Sequence, residues 1–168
     1  MQTNPSSIHI RVGIAGGAGY TGGELLRLLL RHPQVTISFV HSNSNGGKPL
    51  HAVHGDLIGE TDLLFSAELF KDAAGNIATA DVLFLCMGHG EAQKFLQQHP
   101  LREMLRVIDL SQDFRLPGSN FFESREFIYG LPECNRAAIC NAFNIANPGC
   151  FATAIQLGLL PIAATSEL

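Results

Sequence analysis

One stretch constrains this chain more than any other: Gly13-Ile14-Ala15-Gly16-Gly17-Ala18-Gly19-Tyr20-Thr21-Gly22-Gly23. Gly17-x-Gly19-x-x-Gly22 fits a GxGxxG spacing, and Gly13, Gly16 and Gly19 also give GxxGxxG. Before it, Ile8–Ile14 alternates and is rich in branched residues, which predicts a strand. After it, Thr21–Arg31 carries Leu25, Leu28 and Leu29 on one helical face, with Leu26 and Leu30 beside it. A glycine loop between strand and helix makes a tight turn and brings backbone close to a pyrophosphate at the helix N-terminus. The alternative is a purely structural turn.

The rest of the chain repeats this alternation. Val35–His41 predicts a second strand, and Ser42–Gly59 a polar, glycine-bearing loop. A short strand follows at Asp62–Ser66, then a buried-type strand at Asp81–Cys86 and a helix at Glu91–Gln98. Arg106–Leu110 is a further strand, Leu116–Arg136 is irregular, Asn141–Ala146 is a last strand and Cys150–Leu160 a helix. His32-Pro33 and His99-Pro100 close the first two helices, because proline disfavours α geometry in the residue before it. Alternating strands and helices predict an α/β fold with a doubly wound, mostly parallel sheet.

A length of 168 residues with 46% hydrophobic composition is enough for one domain and its core. The net charge of −4 comes with no basic run, which argues against nucleic acid as a partner. Met1–Ser7 is polar and short, with no apolar h-region, so it does not read as a signal peptide. No apolar stretch reaches membrane-spanning length. A cytoplasmic protein follows as the expectation.

The end of the second strand bears on cofactor choice. Val40-His41-Ser42-Asn43-Ser44 has no carboxylate to bond a ribose 2′-hydroxyl, and Lys48 lies just beyond. Ser42, Ser44 and Lys48 suit a 2′-phosphate and predict NADP over NAD; an ordinary polar loop is the alternative. The cysteines Cys86, Cys134, Cys140 and Cys150 form no zinc-binding spacing, so no metal is expected. Asn147-Pro148-Gly149-Cys150 joins the last strand to the last helix. A thiol at a helix start is favoured as thiolate and can attack an acyl carbon. On spacing alone, a packing cysteine is an equal reading. Cys86 lies in an apolar strand, while Cys134 and Cys140 flank a turn and lack a comparable helix start.

Together these segments resemble the N-acetyl-γ-glutamyl-phosphate reductases, relatives of the aspartate-semialdehyde dehydrogenases. Gly16–Leu25 is similar to the family's cofactor loop, and His89-Gly90-Glu91 to its His-Gly turn. Asp109-Leu110-Ser111-Gln112-Asp113-Phe114-Arg115, Tyr129-Gly130-Leu131-Pro132-Glu133 and Pro148-Gly149-Cys150 are similar to further family blocks. Phe151-Ala152 departs from the family's Tyr-Pro, and Gly88 from its proline.

The resemblance implies a Rossmann-type NADP-binding domain over residues 1–148 and, over 149–168, the start of a catalytic and dimerisation domain that is largely missing. It implies NADPH-dependent reduction of N-acetylglutamyl 5-phosphate to the semialdehyde through a Cys150 thioester, in arginine biosynthesis. Gly16, Gly17, Gly19, Tyr20, Thr21, Gly22, Ser42, Ser44, Lys48 and Gly88 would contact NADP. Arg115 and Asn147 would face the acyl phosphate, although Arg115 could equally pair with Asp109 or Asp113. The family's acid/base histidine belongs to the later domain, so no histidine here takes that role. The full-length protein would be a homo-oligomer. Two other functions stay open: reduction of a related acyl phosphate (aspartyl or aminoadipyl), and a non-catalytic NADP-binding module.

Overall fold

The computed structural model describes residues 9–69, 72, 73, 75, 77 and 79–165. The expected leaderless segment Met1–Ser7, Ile8 of the first strand, and residues 166–168 lie outside them. The elements run β1 (Ile10–Ala15), α1 (Tyr20–Leu30), β2 (Val35–His41), β3 (Phe65–Ser66), β4 (Val82–Leu85), α2 (Glu91–Gln98), β5 (Arg106–Asp109), β6 (Phe121–Phe122), β7 (Arg125–Tyr129), α3 (Pro132–Asn141), β8 (Asn144–Ala146) and α4 (Cys150–Ala164). Short 3-10 turns occur at Leu50–Ala52 and Gly55–Leu57.

The strands form one sheet in the order β3-β2-β1-β4-β5-β8-β7-β6. All pairs are parallel except β6 with β7. The chain winds one way from β1 through β2 to β3, then restarts on the other side at β4, so the winding reverses between β1 and β4. Such reversals open a crevice at the carboxyl ends of the strands. The doubly wound, mostly parallel sheet expected from the sequence is present.

Alternation along the strands builds two cores, one per face. Val12, Ile14 and Val40 share a cluster with Leu26 of α1 and with Leu50, Leu57 and Phe65. Ala15, Phe39, Leu83, Leu85 and Val107 share the other with Ala92, Phe95 and Leu96 of α2. Phe114 and Phe127 stack there, with centroids 4.0 Å apart and planes 8° from parallel. Such a pair contributes about 0.5–1.5 kcal/mol beyond its burial.

Four local expectations are corrected. The inward face of α1 centres on Gly22, Gly23 and Leu26, and Leu28 is 72% exposed. The glycines decide this, because their lack of a side chain lets the helix lie close to the loop before it. The segment Leu116–Arg136 is not irregular: it holds β6, β7 and the start of α3. Its strands are short, β6 having two residues in a tight hairpin with β7, and β7 pairs in parallel with β8 across the intervening α3, so local pattern conceals them. The last strand begins at Asn144, since Asn141 ends α3. Finally, Cys134 does have a helix start, as the third residue of α3, with Pro132 supplying a preset first position.

Candidate active site

The site follows from strand register. Ala15 pairs with Leu85, Leu85 with Asp109, and Asp109 with Ala146, so four parallel strands end in one row. On the far side Ala15 pairs with His41. The loops after Ala15 and Ala146 therefore leave the same edge, three strand spacings apart, or about 14 Å.

The first of these is the glycine loop. Gly16 has φ +78, and a Cβ there would lie 2.5 Å from the Cys86 carbonyl oxygen. At Gly17 a Cβ would meet Val40 Cγ1 at 2.2 Å; at Gly22 it would meet the Gly17 backbone at 2.7 Å. Gly17 donates its N–H to the His41 carbonyl, and Gly19 donates to that of Gly16. Gly19 caps α1 without any side-chain hydrogen bond, and no acidic residue lies in the first turn. The helix start is thus left with backbone N–H groups and its positive end, the arrangement that suits phosphate.

The α4 start matches it. Gly149 is the N-cap, again with no side-chain cap and no acid in the first turn, and Cys150 is the first helical residue and exposed. By contrast, α2 is capped by a carboxylate from another loop. Asp113 accepts from the N–H groups of Gly90, Ala92 and Gln93 at 2.6, 3.1 and 3.3 Å. The sequence reading missed Asp113 in this role; its place in the Asp-Leu-Ser-x-Asp-Phe-Arg block was the available signal.

That block organises the space between the two bare helix starts. Asp109 is fully buried and accepts from the Ser111 N–H (3.1 Å) and hydroxyl (2.7 Å). Burial pushes its carboxyl above the usual carboxylate range, and the Ser111 bonds oppose this. Arg115 donates from Nε to the Asn147 carbonyl and from Nη2 to the Leu110 carbonyl, both at 2.8 Å. It therefore grips the turn before Cys150 rather than Asp109 or Asp113. A Cβ on Gly149 would stand 3.0 Å from Arg115 Nη1, a tight contact with that guanidinium. Asn147 donates its backbone N–H to Asp109 O and its side chain to Pro148 O.

A cleft of about 400 Å³ opens at the winding reversal. Gly16, Gly19, His41, Ser42, Gly88 and Lys94 are among its lining residues. Ser42 and Gly88 are thus brought to the glycine loop. Ser44 and Lys48 are not in the lining: both bind Asn45, whose Nδ2 donates to Ser44 Oγ (3.1 Å) and whose Oδ1 accepts from Lys48 Nζ (3.1 Å). Tyr20 is 85% exposed at the head of α1. The Thr21 hydroxyl hydrogen-bonds the Cys86 thiol, and burial pushes that thiol up to about 12. Cys86 is a core residue, as the sequence reading expected.

These features coincide with a known family. The model of the semialdehyde dehydrogenase NAD-binding domain matches residues 11–142. The chain belongs to this family. N-acetyl-gamma-glutamyl-phosphate reductases of Parabacteroides distasonis and Bacteroides thetaiotaomicron are each 53% identical to it over 154 residues, and that of Flavobacterium johnsoniae is 50% identical. Each of these alignments covers 92% of this chain and 45% of the relative, so the chain spans about half the length of the curated relatives it matches. The fold is also that of a solved aspartate semialdehyde dehydrogenase with NADP from Candida albicans, with a TM-score of 0.65 at 16% identity, over 94% of this chain and 47% of that one. No helix among the described residues is long and apolar enough to cross a membrane.

Within the semialdehyde dehydrogenase fold, His41 has a specific consequence. It is 6% exposed and lines the cleft, and its Nδ1 has no hydrogen-bond partner. Burial holds its pKa below the ordinary value of 6.5, partly offset by the Ala67 backbone and the Asn43 side chain. The unfolded chain therefore takes up a proton near pH 6.5 that the folded chain resists. Stability from this group is complete above that pH and falls as pH drops through it, by at most about 1.4 kcal/mol per pH unit. Thermal midpoints at pH 7.5 and 5.5 are expected to differ less for His41→Gln than for the wild type. Equal differences would remove His41 as the cause.

Proposed function

We propose that this chain is the dinucleotide-binding half of an NADPH-dependent N-acetyl-γ-glutamyl-phosphate reductase, with Cys150 as its nucleophile. One observation carries the reading: two uncapped, glycine-led helix starts stand on one registered edge of the sheet. One follows the glycine loop and the other begins with an exposed cysteine. The glycine cradle, closed to any Cβ at Gly16, Gly17 and Gly22, and the unpartnered Nδ1 of His41 fit a dinucleotide in the cleft.

In this reading the N–H groups of Tyr20, Thr21 and Gly22 face the pyrophosphate, and Gly16, Gly17 and Gly19 shape the turn that aims them, the Gly17 and Gly19 N–H groups being held by the His41 and Gly16 carbonyls. Ser42 and Gly88 flank the adenosine, and Ser44 and Lys48, held on Asn45 in the loop after β2, would have to turn from it to meet a 2′-phosphate. The Cys150 sulfur attacks the acyl-phosphate carbon of N-acetylglutamyl 5-phosphate, the C–O bond to phosphate breaks, and phosphate leaves. NADPH supplies the hydride that reduces the resulting thioester. Collapse of the alkoxide then expels the Cys150 thiolate and releases the semialdehyde. Backbone N–H groups at the α4 start stabilise the oxyanion. Arg115 and Asn147 hold the turn that aims the sulfur, and through it the substrate.

We place the domain boundary at residue 148. Every side chain described in α4 is at least partly exposed, including Phe151 at 82% and Ile155 at 60%. An apolar helix in that state supports a second domain covering it in a polypeptide of the relatives' length. The small-molecule substrate, homo-oligomeric assembly and cytoplasmic location belong to this same proposal.

The test is a semialdehyde oxidation assay with NADP and phosphate on a polypeptide of the relatives' full length. N-acetylglutamate semialdehyde is expected to exceed aspartate and aminoadipate semialdehydes in kcat/KM, and NADP to exceed NAD. The 168-residue chain alone is expected to bind NADP with negligible turnover. Equal or faster turnover of another semialdehyde would reassign the substrate; equal use of NAD would reassign the cofactor.

A further inference from the structure

The backbone of a glycine loop has no side chains of its own to hold it, so its shape depends on what the rest of the fold brings to it. One side chain does this here. His54 lies between the 3-10 turns Leu50–Ala52 and Gly55–Leu57, far from the loop in sequence, and is 8% exposed. Its Nε2 is 2.8 Å from the Gly17 carbonyl oxygen. A carbonyl only accepts, so Nε2 carries the hydrogen and donates it.

The placement of the ring is fixed on several sides. The His54 N–H donates to Leu50 O, and His54 O accepts from Leu57 N–H, both at 2.9 Å. The ring sits 6.2 Å from that of Phe65. It also occupies the space beside Gly23, where a Cβ would be 2.7 Å from Nδ1. Two residues on, Asp56 binds Arg27 of α1 through Nε and Nη2, at 2.5 and 2.7 Å. The segment 50–57 is thereby fastened both to α1 and to the loop before it.

Gly17 is the residue where this matters most. Its N–H bonds His41 O, its backbone leaves no room for a Cβ at Gly22, and its own carbonyl is the atom His54 holds. With both polar groups of that residue engaged, the Gly17–Ala18 peptide plane has one orientation, and the N–H groups that follow are aimed. We propose that His54 is the positioning residue of the phosphate-binding loop, acting through the Gly17 carbonyl without touching the cofactor. The inference deepens the dinucleotide reading above and rests on it for its effect on binding, though not for its effect on the loop.

Two variants separate positioning from packing: His54→Phe fills the space but cannot donate, and His54→Gln restores an N–H donor. Amide hydrogen exchange of the chain without ligand reads the loop directly. Gly17 and Gly19 are expected to exchange at least about 10-fold faster in His54→Phe, with wild-type rates for Leu83 and Leu85 in β4, and His54→Gln is expected to recover most of the protection. Titration with NADP is expected to show a dissociation constant raised about 10-fold in His54→Phe and within about threefold of wild type in His54→Gln. Adenosine 2′-monophosphate, which lacks any 5′-phosphate, is expected to bind all three proteins within about twofold of each other.

Unchanged exchange at Gly17 and Gly19 in His54→Phe overturns the proposal. So does equal weakening of NADP and adenosine 2′-monophosphate, because that marks general damage. If the wild type binds no NADP, the cofactor reading fails, and the exchange rates alone decide the role of His54.

Discussion

Replacing Cys150 with alanine is expected to abolish turnover in a polypeptide of the relatives' full length, lowering kcat/KM by on the order of 10⁴-fold or more. The size follows from the chemistry: without the sulfur no thioester forms, and hydride would have to reduce the acyl phosphate directly. NADP affinity should stay within about twofold, because the loop after Ala15 and the turn after Ala146 are built by different segments. Alkylation with iodoacetamide is expected to give the matching result. Cys150, Cys134 and Cys140 are exposed and should react, whereas Cys86, buried and pushed up to about 12, should not. Loss of activity should track modification of Cys150 alone. A Cys150→Ala enzyme with near-wild-type turnover would end the thioester route.

Alanine at Gly16 is expected to raise the NADP dissociation constant by on the order of 100-fold, which is about 2.7 kcal/mol. It is also expected to lower the thermal midpoint. Two effects combine. The φ of +78 is strained for any L side chain, costing about 1–3 kcal/mol. The new Cβ would lie 2.5 Å from the Cys86 carbonyl, a backbone atom that cannot swing aside, and such overpacking costs about 1–3 kcal/mol more. The midpoint should fall by roughly 5–20 °C. Gly118→Ala is the control: its φ is +88, yet nothing stands within 4 Å of a Cβ there. It should lose a little stability and leave NADP binding unchanged. Gly16→Ala and Gly118→Ala with the same dissociation constant would show that the loop does not contact the cofactor.

The residues differ in how far sequence alone discloses them. The glycine loop is legible because its spacing falls within one strand-turn-helix unit, even though Gly16 and Gly17 are required by Cys86 and Val40 at the ends of neighbouring strands. Strands β1, β2, β4 and β5 are legible because branched and apolar residues concentrate in each run. Strands β6 and β7 are not, because β6 has only two residues and β7 pairs with β8 across a whole helix. Cys150 is found by its Pro-Gly turn and helix start, but what holds the turn is a guanidinium 35 residues earlier. For Arg115 the residue type suggests a substrate anion; its geometry spends two donors on Leu110 and Asn147 carbonyls. Asp113 has only its place in the block from Asp109 to Arg115, and His54 carries no local signature at all. Each acts on backbone brought near by the fold, as the cap of α2 and the holder of Gly17.

The stretch from Asp109 to Arg115 touches both sides of the crevice within seven residues. Its first carboxylate is locked to Ser111, its second closes the helix that walls the nucleotide side, and its guanidinium fastens the cysteine turn. A rigid strap of this kind makes the two sides energetically interdependent. Loss of Asp113 and loss of Arg115 should therefore not sum when combined: the double variant should be less damaged than the two single changes predict, by about 0.5–3 kcal/mol. Evolution of one side, in consequence, is tethered to tolerance on the other.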